Sequence, residues 1–213
     1  MKTTYYSDFD GTIATVDVGN TVLEKFAGPI WEGFSEAYVK GEINSQICLS
    51  SQYAEFRGTK DEFTEFIMTL DIDPFFKSFY EEVKRNGDEL IILSDGMRQY
   101  IDILLAKYGI ENVDVRSNSM DFEGNKVKLT FPYLTPGCDV DMANCKCSHI
   151  MDNGHRKVYI GDGVSDACAA RKTDVIYAKV DRNLKSILES EGRDVIPFQT
   201  FEDVMIGENM IKR

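Results

Sequence analysis

The stretch Tyr5-Tyr6-Ser7-Asp8-Phe9-Asp10-Gly11-Thr12 decides the fold of this chain. It is typical of a buried strand, predicted over residues 3–9, that leads into two carboxylates and a Gly-Thr turn. Side chains two positions apart lie on the same side of a strand. Asp8 and Asp10 can therefore reach one site at the carboxyl edge of a parallel sheet, where open α/β sheets bind ligands. Two carboxylates this close repel each other, which indicates a divalent cation and a reaction at phosphorus.

Strand and helix signals alternate along the 213 residues, which predicts an α/β fold with a Rossmann-like parallel sheet. A turn at Glu123-Gly124-Asn125 predicts a hairpin. Continuous apolar runs predict further strands at 89–93, 157–160, 174–178 and 194–198. Apolar residues at helical spacing predict helices at 98–108, 166–172 and 184–191.

One region interrupts this alternation. Residues 14–77 contain no convincing strand and carry amphipathic stretches, for example around Phe26, Trp31 and Phe63. Such a block directly after the first strand predicts a helical cap that lies over the strand ends. We therefore predict a core formed by residues 1–13 and 78–213, with a cap formed by residues 14–77.

The formal net charge of −12 disfavours nucleic acid and anionic lipid as partners, because both repel an acidic chain. No apolar run is long enough to span a bilayer, and the first residues do not resemble a signal peptide. We therefore expect a cytoplasmic protein with neither nucleic acid nor membrane as a partner.

Five cysteines, an odd number in a chain without an export signal, argue against a disulfide framework. Cys138, Cys145 and Cys147 lie close together in the chain and His149 follows, so a structural zinc site is one interpretation. Reduced thiols in a compact loop are the preferred one, because the spacing lacks the paired CxxC arrangement of zinc sites. His149 and His155 match no motif, and both are expected at the surface.

Two later motifs also lie at the ends of predicted strands, as Asp8 and Asp10 do. In Ser94-Asp95-Gly96, a hydroxyl with flanking backbone N–H groups predicts a clamp for phosphate oxygens. Asp162 can reach the same sheet edge as Asp8, and Asp166 begins the next helix.

A phosphoryl group also needs a cation to neutralise it, and two lysines compete for this role. Lys157 directly precedes a predicted strand, which places it at the far, amino-terminal end of the sheet. Lys146 is therefore the preferred candidate.

In chain order, Asp8-x-Asp10-Gly11-Thr12, Ser94, a lysine and Gly161-Asp162-Gly163-x-x-Asp166 resemble the four motifs of the haloacid dehalogenase-like hydrolases. The resemblance covers essentially the whole chain, and the predicted helical insertion resembles the type 1 cap of that superfamily. It implies a phosphatase acting on a small phosphorylated metabolite with Mg²⁺ as cofactor.

The resemblance also implies roles for individual residues. Asp8 would be the nucleophile that forms an aspartyl-phosphate, and Asp10 would be the general acid and base. Asp8, the backbone carbonyl of Asp10, and Asp162 would bind Mg²⁺. Lys146 would neutralise charge, and Asp166 would orient Lys146 or a metal-bound water.

The remaining implied roles concern substrate binding. Ser94, Asp95 and Gly96 would hold phosphoryl oxygens through the hydroxyl and nearby N–H groups. Asp17 would face the part of the substrate that leaves.

The form of the last motif is similar to that of the phosphoserine phosphatase-like branch. Within it, Phe26-Ala27-Gly28-Pro29-x-Trp31 and the loop Cys145-Lys146-Cys147 resemble the 2-hydroxy-3-keto-5-methylthiopentenyl-1-phosphate phosphatases of methionine salvage, although Cys147 stands where a proline usually follows the lysine. Phosphoserine, phosphocholine and phosphoethanolamine remain alternative substrates. A non-catalytic phosphate-binding regulator on the same fold is the alternative from another class, and retention of Asp8 and Asp10 argues against it.

Overall fold

The computed structural model describes residues 1–135 and 142–212, and within these ranges seven strands form a single sheet. Their order across the sheet is β4-β3-β2-β1-β5-β6-β7. The strands are β1 (Thr3–Ser7), β2 (Glu89–Met97), β3 (Asp114–Glu123), β4 (Lys126–Thr130), β5 (Arg156–Gly161), β6 (Val175–Lys179) and β7 (Ile196–Phe198).

The sheet is parallel except for β4, which pairs antiparallel with β3 as the predicted hairpin. β1 lies at the centre, and Ser7 at its end is level with Ile92 of β2 and Ile160 of β5. The ends of these three strands therefore meet at one edge. The α/β fold with a Rossmann-like parallel sheet, predicted from alternating sequence signals, is confirmed.

Helices cover both faces of the sheet, which is why β1 is buried along its whole length. Tyr5 and Tyr6, adjacent in β1, belong to separate apolar clusters on opposite faces. Within the described residues the α-helices are α1 (Val18–Phe26), α2 (Trp31–Val39), α3 (Ser45–Ala54), α4 (Lys60–Ile67), α5 (Phe76–Arg85), α6 (Arg98–Lys107), α7 (Ala167–Ala170), α8 (Asn183–Ser190) and α9 (Phe201–Gly207).

Helices α1 to α4 fall within the range predicted to be a cap. Aromatic rings join α1, α4 and the segment after α3 to each other and to the β3–β4 hairpin: Phe26 stacks on Phe56 with centroids 5.0 Å apart, and Phe63 meets Phe122 edge-on at 5.4 Å. Asp17 caps α1 by accepting from the Asn20 N–H. The division into a core of 1–13 and 78–213 and a cap of 14–77 stays a prediction.

Several observed boundaries differ from the predicted ones. Residues 164–166 form a 3-10 turn before α7, and β7 is shorter than the predicted strand at 194–198. The first half of β3 was not predicted, because its polar residues lack an apolar run. Among the described residues, none of the helices is both long enough and apolar enough to cross a bilayer.

Candidate active site

A cavity of about 290 Å³ opens at the carboxyl edge of the sheet, between the ends of β1, β2 and β5 and helices α1 and α3. It brings together most of the side chains singled out in the sequence. Those that line it are Asp8, Asp10, Asp17, Asp95, Gly96, Lys146 and Asp162. Ser94 and Asp166 lie directly behind this lining, where they bond to Asp10 and Lys146.

Asp8 follows the last residue of β1 and is paired with a buried lysine. Its Oδ1 lies 2.7 Å from Lys146 Nζ and accepts the Phe9 N–H at 2.7 Å. Burial raises the pKa of Asp8 and the Asp166 carboxylate adds to this, whereas Lys146 opposes both. Burial alone would lower the pKa of Lys146, but the carboxylates of Asp166 and Asp8 outweigh it and the pKa is raised. Lys146 is therefore a charged group held against Asp8.

Asp166 is fully buried and every acceptor position of its carboxylate is engaged. Oδ1 accepts from Lys146 Nζ and from the Tyr159 hydroxyl, both at 2.7 Å. Oδ2 accepts the N–H groups of Asp162 and Gly163, both at 3.0 Å. A carboxylate has about four lone-pair sites, so no site remains for a metal ion. Asp166 can orient Lys146 and the Asp162 turn.

Asp10 is held by four donors from other parts of the chain. Oδ1 accepts the N–H groups of Val18 and Gly19 at 3.0 and 3.4 Å. Oδ2 accepts from Ser94 Oγ at 3.1 Å and from the Tyr100 hydroxyl at 2.9 Å. These contacts fix the orientation of the Asp10 carboxylate within the cavity wall.

Burial raises the pKa of Asp10 to about 7, the negative charge of Asp17 adds to this, and the hydrogen bonds from Tyr100 and Ser94 oppose it. An acid with a pKa near the working pH can both give and accept a proton. Asp10 therefore has a pKa suited to proton transfer, which requires one of its four donors to give way.

Asp8, Asp162 and Asp166 each bring a carboxylate oxygen within 4.8 Å of the others. Because Asp166 is saturated, Asp8 and Asp162 are the two carboxylates of this group that can bind a cation. Carboxylate oxygens of this kind are the ligands that Mg²⁺ prefers, so the donor set fits that ion. Gly11 allows Asp162 to approach: its φ is +71°, and a Cβ there would come within 2.5 Å of Asp162 Oδ2.

The Ser94-Asp95-Gly96 segment, predicted as a turn after the strand, lies within β2, and the register of β2 with β3 shifts between Ser94 and Met97. Ser94 Oγ accepts the Gly96 N–H at 2.9 Å and donates to Asp10. A Cβ on Gly96 would collide with the Tyr100 hydroxyl, so only glycine fits here. Ser94 must exchange its bond to Asp10 before its hydrogen can reach a phosphoryl oxygen.

Asn144, which was not singled out from the sequence, connects the strand ends. Its Nδ2 donates to the carbonyls of Ser94 and Arg116, both at 2.8 Å. Its backbone N–H donates to Asp95 Oδ1 at 2.8 Å, and its Oδ1 lies 2.8 Å from His149 Nε2. Asn144 therefore holds the chain two residues before Lys146 against the turn predicted to bind phosphate.

The surface position expected for His149 is wrong. The ring is buried, packs edge-on against Tyr133 with centroids 4.7 Å apart, and contacts Asn144. Because Asn144 uses its amide hydrogens on two carbonyls, its Oδ1 is an acceptor and His149 Nε2 carries the proton. Burial lowers the pKa of His149 to about 4, and the positive charge of Arg116 contributes.

This neutral histidine should make stability depend on pH. The unfolded chain takes up a proton near pH 6.5, whereas the folded chain does so only near pH 4, so stability falls as the pH drops through this window. Between pH 7 and pH 5 the loss from His149 is about 2 kcal/mol. Urea unfolding at both pH values should show this loss in the wild type and in His155→Gln, and a smaller one in His149→Gln. Other groups titrate alike in all three proteins, so equal losses in all three would contradict the assignment.

The predicted thiol loop is only partly described. Cys138 lies outside the described residues, whereas Cys145 and Cys147 have sulfurs 3.4 Å apart. None of the described cysteines forms a disulfide. Among the described residues, Cys145, Cys147 and His149 do not bring three ligand atoms close enough together to share a metal ion, and a zinc site that includes Cys138 stays untested.

The cavity at the carboxyl edge of the parallel sheet is covered by helices and lined by carboxylates and a buried lysine. This arrangement defines a class of hydrolases, and the comparisons with known proteins agree. The sequence model described as haloacid dehalogenase-like hydrolase matches residues 6–171, so the chain belongs to this family. Its similarity to named phosphatases makes it an enzyme of the phosphatase class.

Among the curated relatives is a 2-hydroxy-3-keto-5-methylthiopentenyl-1-phosphate phosphatase from Brevibacillus brevis, 28% identical over 96% of this chain and 94% of the relative. Another is Pdp3-interacting factor 1 from Schizosaccharomyces pombe, 29% identical over 93% and 91%. A solved structure of substrate-bound phosphoserine phosphatase has a TM-score of 0.73 at 16% identity and covers 100% of this chain and 99% of that one. At that identity the structural likeness establishes the fold.

Proposed function

We propose that this protein is a Mg²⁺-dependent phosphomonoesterase that acts on a small phosphorylated metabolite through an aspartyl-phosphate at Asp8. The observation that carries the proposal is the contrast between two neighbouring carboxylates. Asp8 accepts from the Lys146 ammonium at 2.7 Å, whereas Asp10 accepts from two backbone N–H groups and two hydroxyls, all of them neutral. A cation against one carboxylate favours its ionised form, which supports a nucleophile at Asp8, whereas neutral donors favour the ionised form of Asp10 less, which supports an acid there.

The residues support a two-step reaction. In the first step, a carboxylate oxygen of Asp8 attacks phosphorus, the ester P–O bond breaks, and Asp10 gives its proton to the departing oxygen. In the second step, a water molecule attacks the phosphorus of the acyl phosphate and Asp10 takes up the water proton. Inorganic phosphate leaves and both aspartates return to their starting states.

Charge at the phosphoryl group is the main energetic problem for an acidic protein. Lys146 supplies one positive charge, and Ser94 with the N–H groups of Asp95 and Gly96 would supply hydrogen bonds once Ser94 and Gly96 exchange their bonds to Asp10 and to Ser94 Oγ. Asp8, Asp162 and the backbone carbonyl of Asp10 would hold Mg²⁺, which supplies further positive charge to the phosphoryl oxygens when bound. Asp166 positions Lys146.

Metal removal tests the cofactor. Treatment with EDTA should abolish hydrolysis of p-nitrophenyl phosphate, and added Mg²⁺ should restore it. In Asp162→Asn, the Mg²⁺ concentration for half-maximal rate should rise roughly tenfold or more, because a charged ligand is lost. Asp121→Asn, on the exposed face of β3, is the matched control and should keep the wild-type Mg²⁺ dependence. Full activity in EDTA would contradict the proposal.

The substrate proposal draws on the curated relatives. Several are named for a phosphate ester of methionine salvage, which supports that ester as the first compound to test. A screen against this ester, phosphoserine, phosphocholine and phosphoethanolamine ranks the substrates by kcat/KM. A role of the predicted cap in substrate selection is supported because Asn20, Leu49 and Tyr53 from α1 and α3 line the same cavity as the aspartates.

A further inference from the structure

A second cavity of about 280 Å³ adjoins the first, and we call it the outer chamber. Both cavities share the side chains of Asn20, Leu49, Gln52, Asp95 and Ser165. For a phosphate ester whose phosphoryl group lies against Asp8 in the first cavity, the outer chamber is adjoining space for the leaving group. The chemistry of the shared wall and the outer chamber decides which leaving groups fit.

Gln52 presents an acceptor to the chamber. Its side chain is buried, and its Nε2 donates to the Trp31 carbonyl at 3.3 Å and to Ser35 Oγ at 2.8 Å. These two bonds use both amide hydrogens. What Gln52 can offer a ligand is its carbonyl oxygen, which accepts hydrogen bonds.

Other side chains around the two cavities also offer hydrogen-bond acceptors. The Tyr38 hydroxyl donates to Met142 Sδ at 3.1 Å, so its oxygen is left as an acceptor. Asp17 and Asp95 add carboxylates, one at the first cavity and one shared by both. A leaving group therefore meets acceptors and negative charge at these side chains, and the donors beside them, such as the hydroxyls of Ser45 and Ser165, are neutral.

The lining supplies little positive charge to balance these oxygens. Among the described residues that line the two cavities, Lys146 is the single lysine or arginine, and it lies between Asp8 and Asp166. Residues 136–141, outside the described ranges, contain no lysine, arginine or histidine. Arg182 lies outside both linings, half-exposed, with its Nε 3.7 Å from Asp162 Oδ2.

We propose that this site selects phosphate esters whose leaving group donates hydrogen bonds, through a hydroxyl or ammonium group, and carries no carboxylate. A carboxylate there would meet Gln52, Asp17 and Asp95 without a cation to pair with, and like charges brought together disfavour binding strongly. The inference rests on the proposed phosphatase function and narrows its substrate class. Among the candidate substrates, phosphoserine is the one with a carboxylate, and the inference therefore predicts weaker binding for it than for the others.

Two pairs of compounds test the inference: in the first pair one member has an added carboxylate, and in the second a carboxylate replaces a hydroxymethyl group. The pairs are phosphoethanolamine with phosphoserine, and glycerol 3-phosphate with 3-phosphoglycerate. Each compound is measured as a competitive inhibitor of p-nitrophenyl phosphate hydrolysis, which reports binding even for a poor substrate. We expect the carboxylate-free member to bind at least about tenfold more tightly in both pairs. Equal affinity, or tighter binding of the carboxylate, in either pair overturns the proposal.

Variants of lining residues test whether the preference for carboxylate-free esters arises because the two cavities lack a further lysine or arginine. Leu49→Arg adds a guanidinium to the shared wall and should reduce the preference in both pairs severalfold, whereas Leu49→Gln, the uncharged control, should not. Arg182→Gln should leave the preference unchanged, and selective loss of carboxylate binding in that variant would overturn the proposal. Absence of p-nitrophenyl phosphate hydrolysis by the wild type would instead refute the phosphatase proposal itself.

Discussion

Asp8→Asn should lose at least about 10⁴-fold in the rate of p-nitrophenyl phosphate hydrolysis, as expected when a nucleophile is removed. The amide oxygen can still accept from Phe9 N–H and Lys146 Nζ, so the local geometry is retained. Burial disfavours the charged form of Asp8, and the neutral amide avoids this cost. Steady-state kinetics and a thermal melt should therefore show an inactive protein that is still folded.

The control for this variant is Asp121→Asn, which removes a carboxylate from the exposed face of β3. It should retain the wild-type rate. Undiminished turnover in Asp8→Asn would remove the aspartyl-phosphate mechanism. The same result would indicate an activity that arises elsewhere on this fold, whereas a wild type without activity would favour the non-catalytic phosphate-binding regulator.

Lys146→Met should lose activity on the order of 10²- to 10³-fold and also lose stability. The activity falls because the phosphoryl group loses its cation. The stability falls because Asp8 and Asp166 are left buried without their partner, and breaking a buried ion pair costs about 3–5 kcal/mol. Urea unfolding and steady-state kinetics at saturating Mg²⁺ measure the two effects separately.

Lys157→Met is the matched control, because Lys157 was the rival candidate in the sequence. Its Nζ lies 3.4 Å from the fully exposed carboxylate of Asp152, and β5 carries it at the end opposite the site. The variant should keep both activity and stability. If Lys157→Met were inactive and Lys146→Met active, the assignment of the cation would be wrong.

The sheet and the position of the site could be predicted because they depend on short, local patterns. The apolar lead-in to Asp8 and the apolar run before Ser94 mark two neighbouring strands, and parallel strands place their carboxyl ends at one edge. The preference for Lys146 over Lys157 followed from the order of motifs and strands. The contact of Lys146 with Asp8 agrees with that preference, and its catalytic role stays a proposal.

The supporting contacts could not be predicted because nothing local marks them. Tyr100 lies 90 residues from Asp10 in the chain, and only the folded geometry brings its hydroxyl to that carboxylate. The burial of His149 depends on Tyr133 and Asn144, whose positions the sequence does not fix. A histidine that matches no motif was expected at the surface, and for His149 that expectation was wrong.

The separation along the chain of the groups that meet at the site has a consequence for folding. Lys146 and Asp8 are 138 positions apart, and Ser94 and Asp10 are 84 apart. Contacts of high sequence separation are closed late, after the loops between them have lost their freedom. No fragment that lacks β1 or the segment around Lys146 can assemble this arrangement. Catalytic activity is therefore a stringent report that the whole chain has reached its native topology.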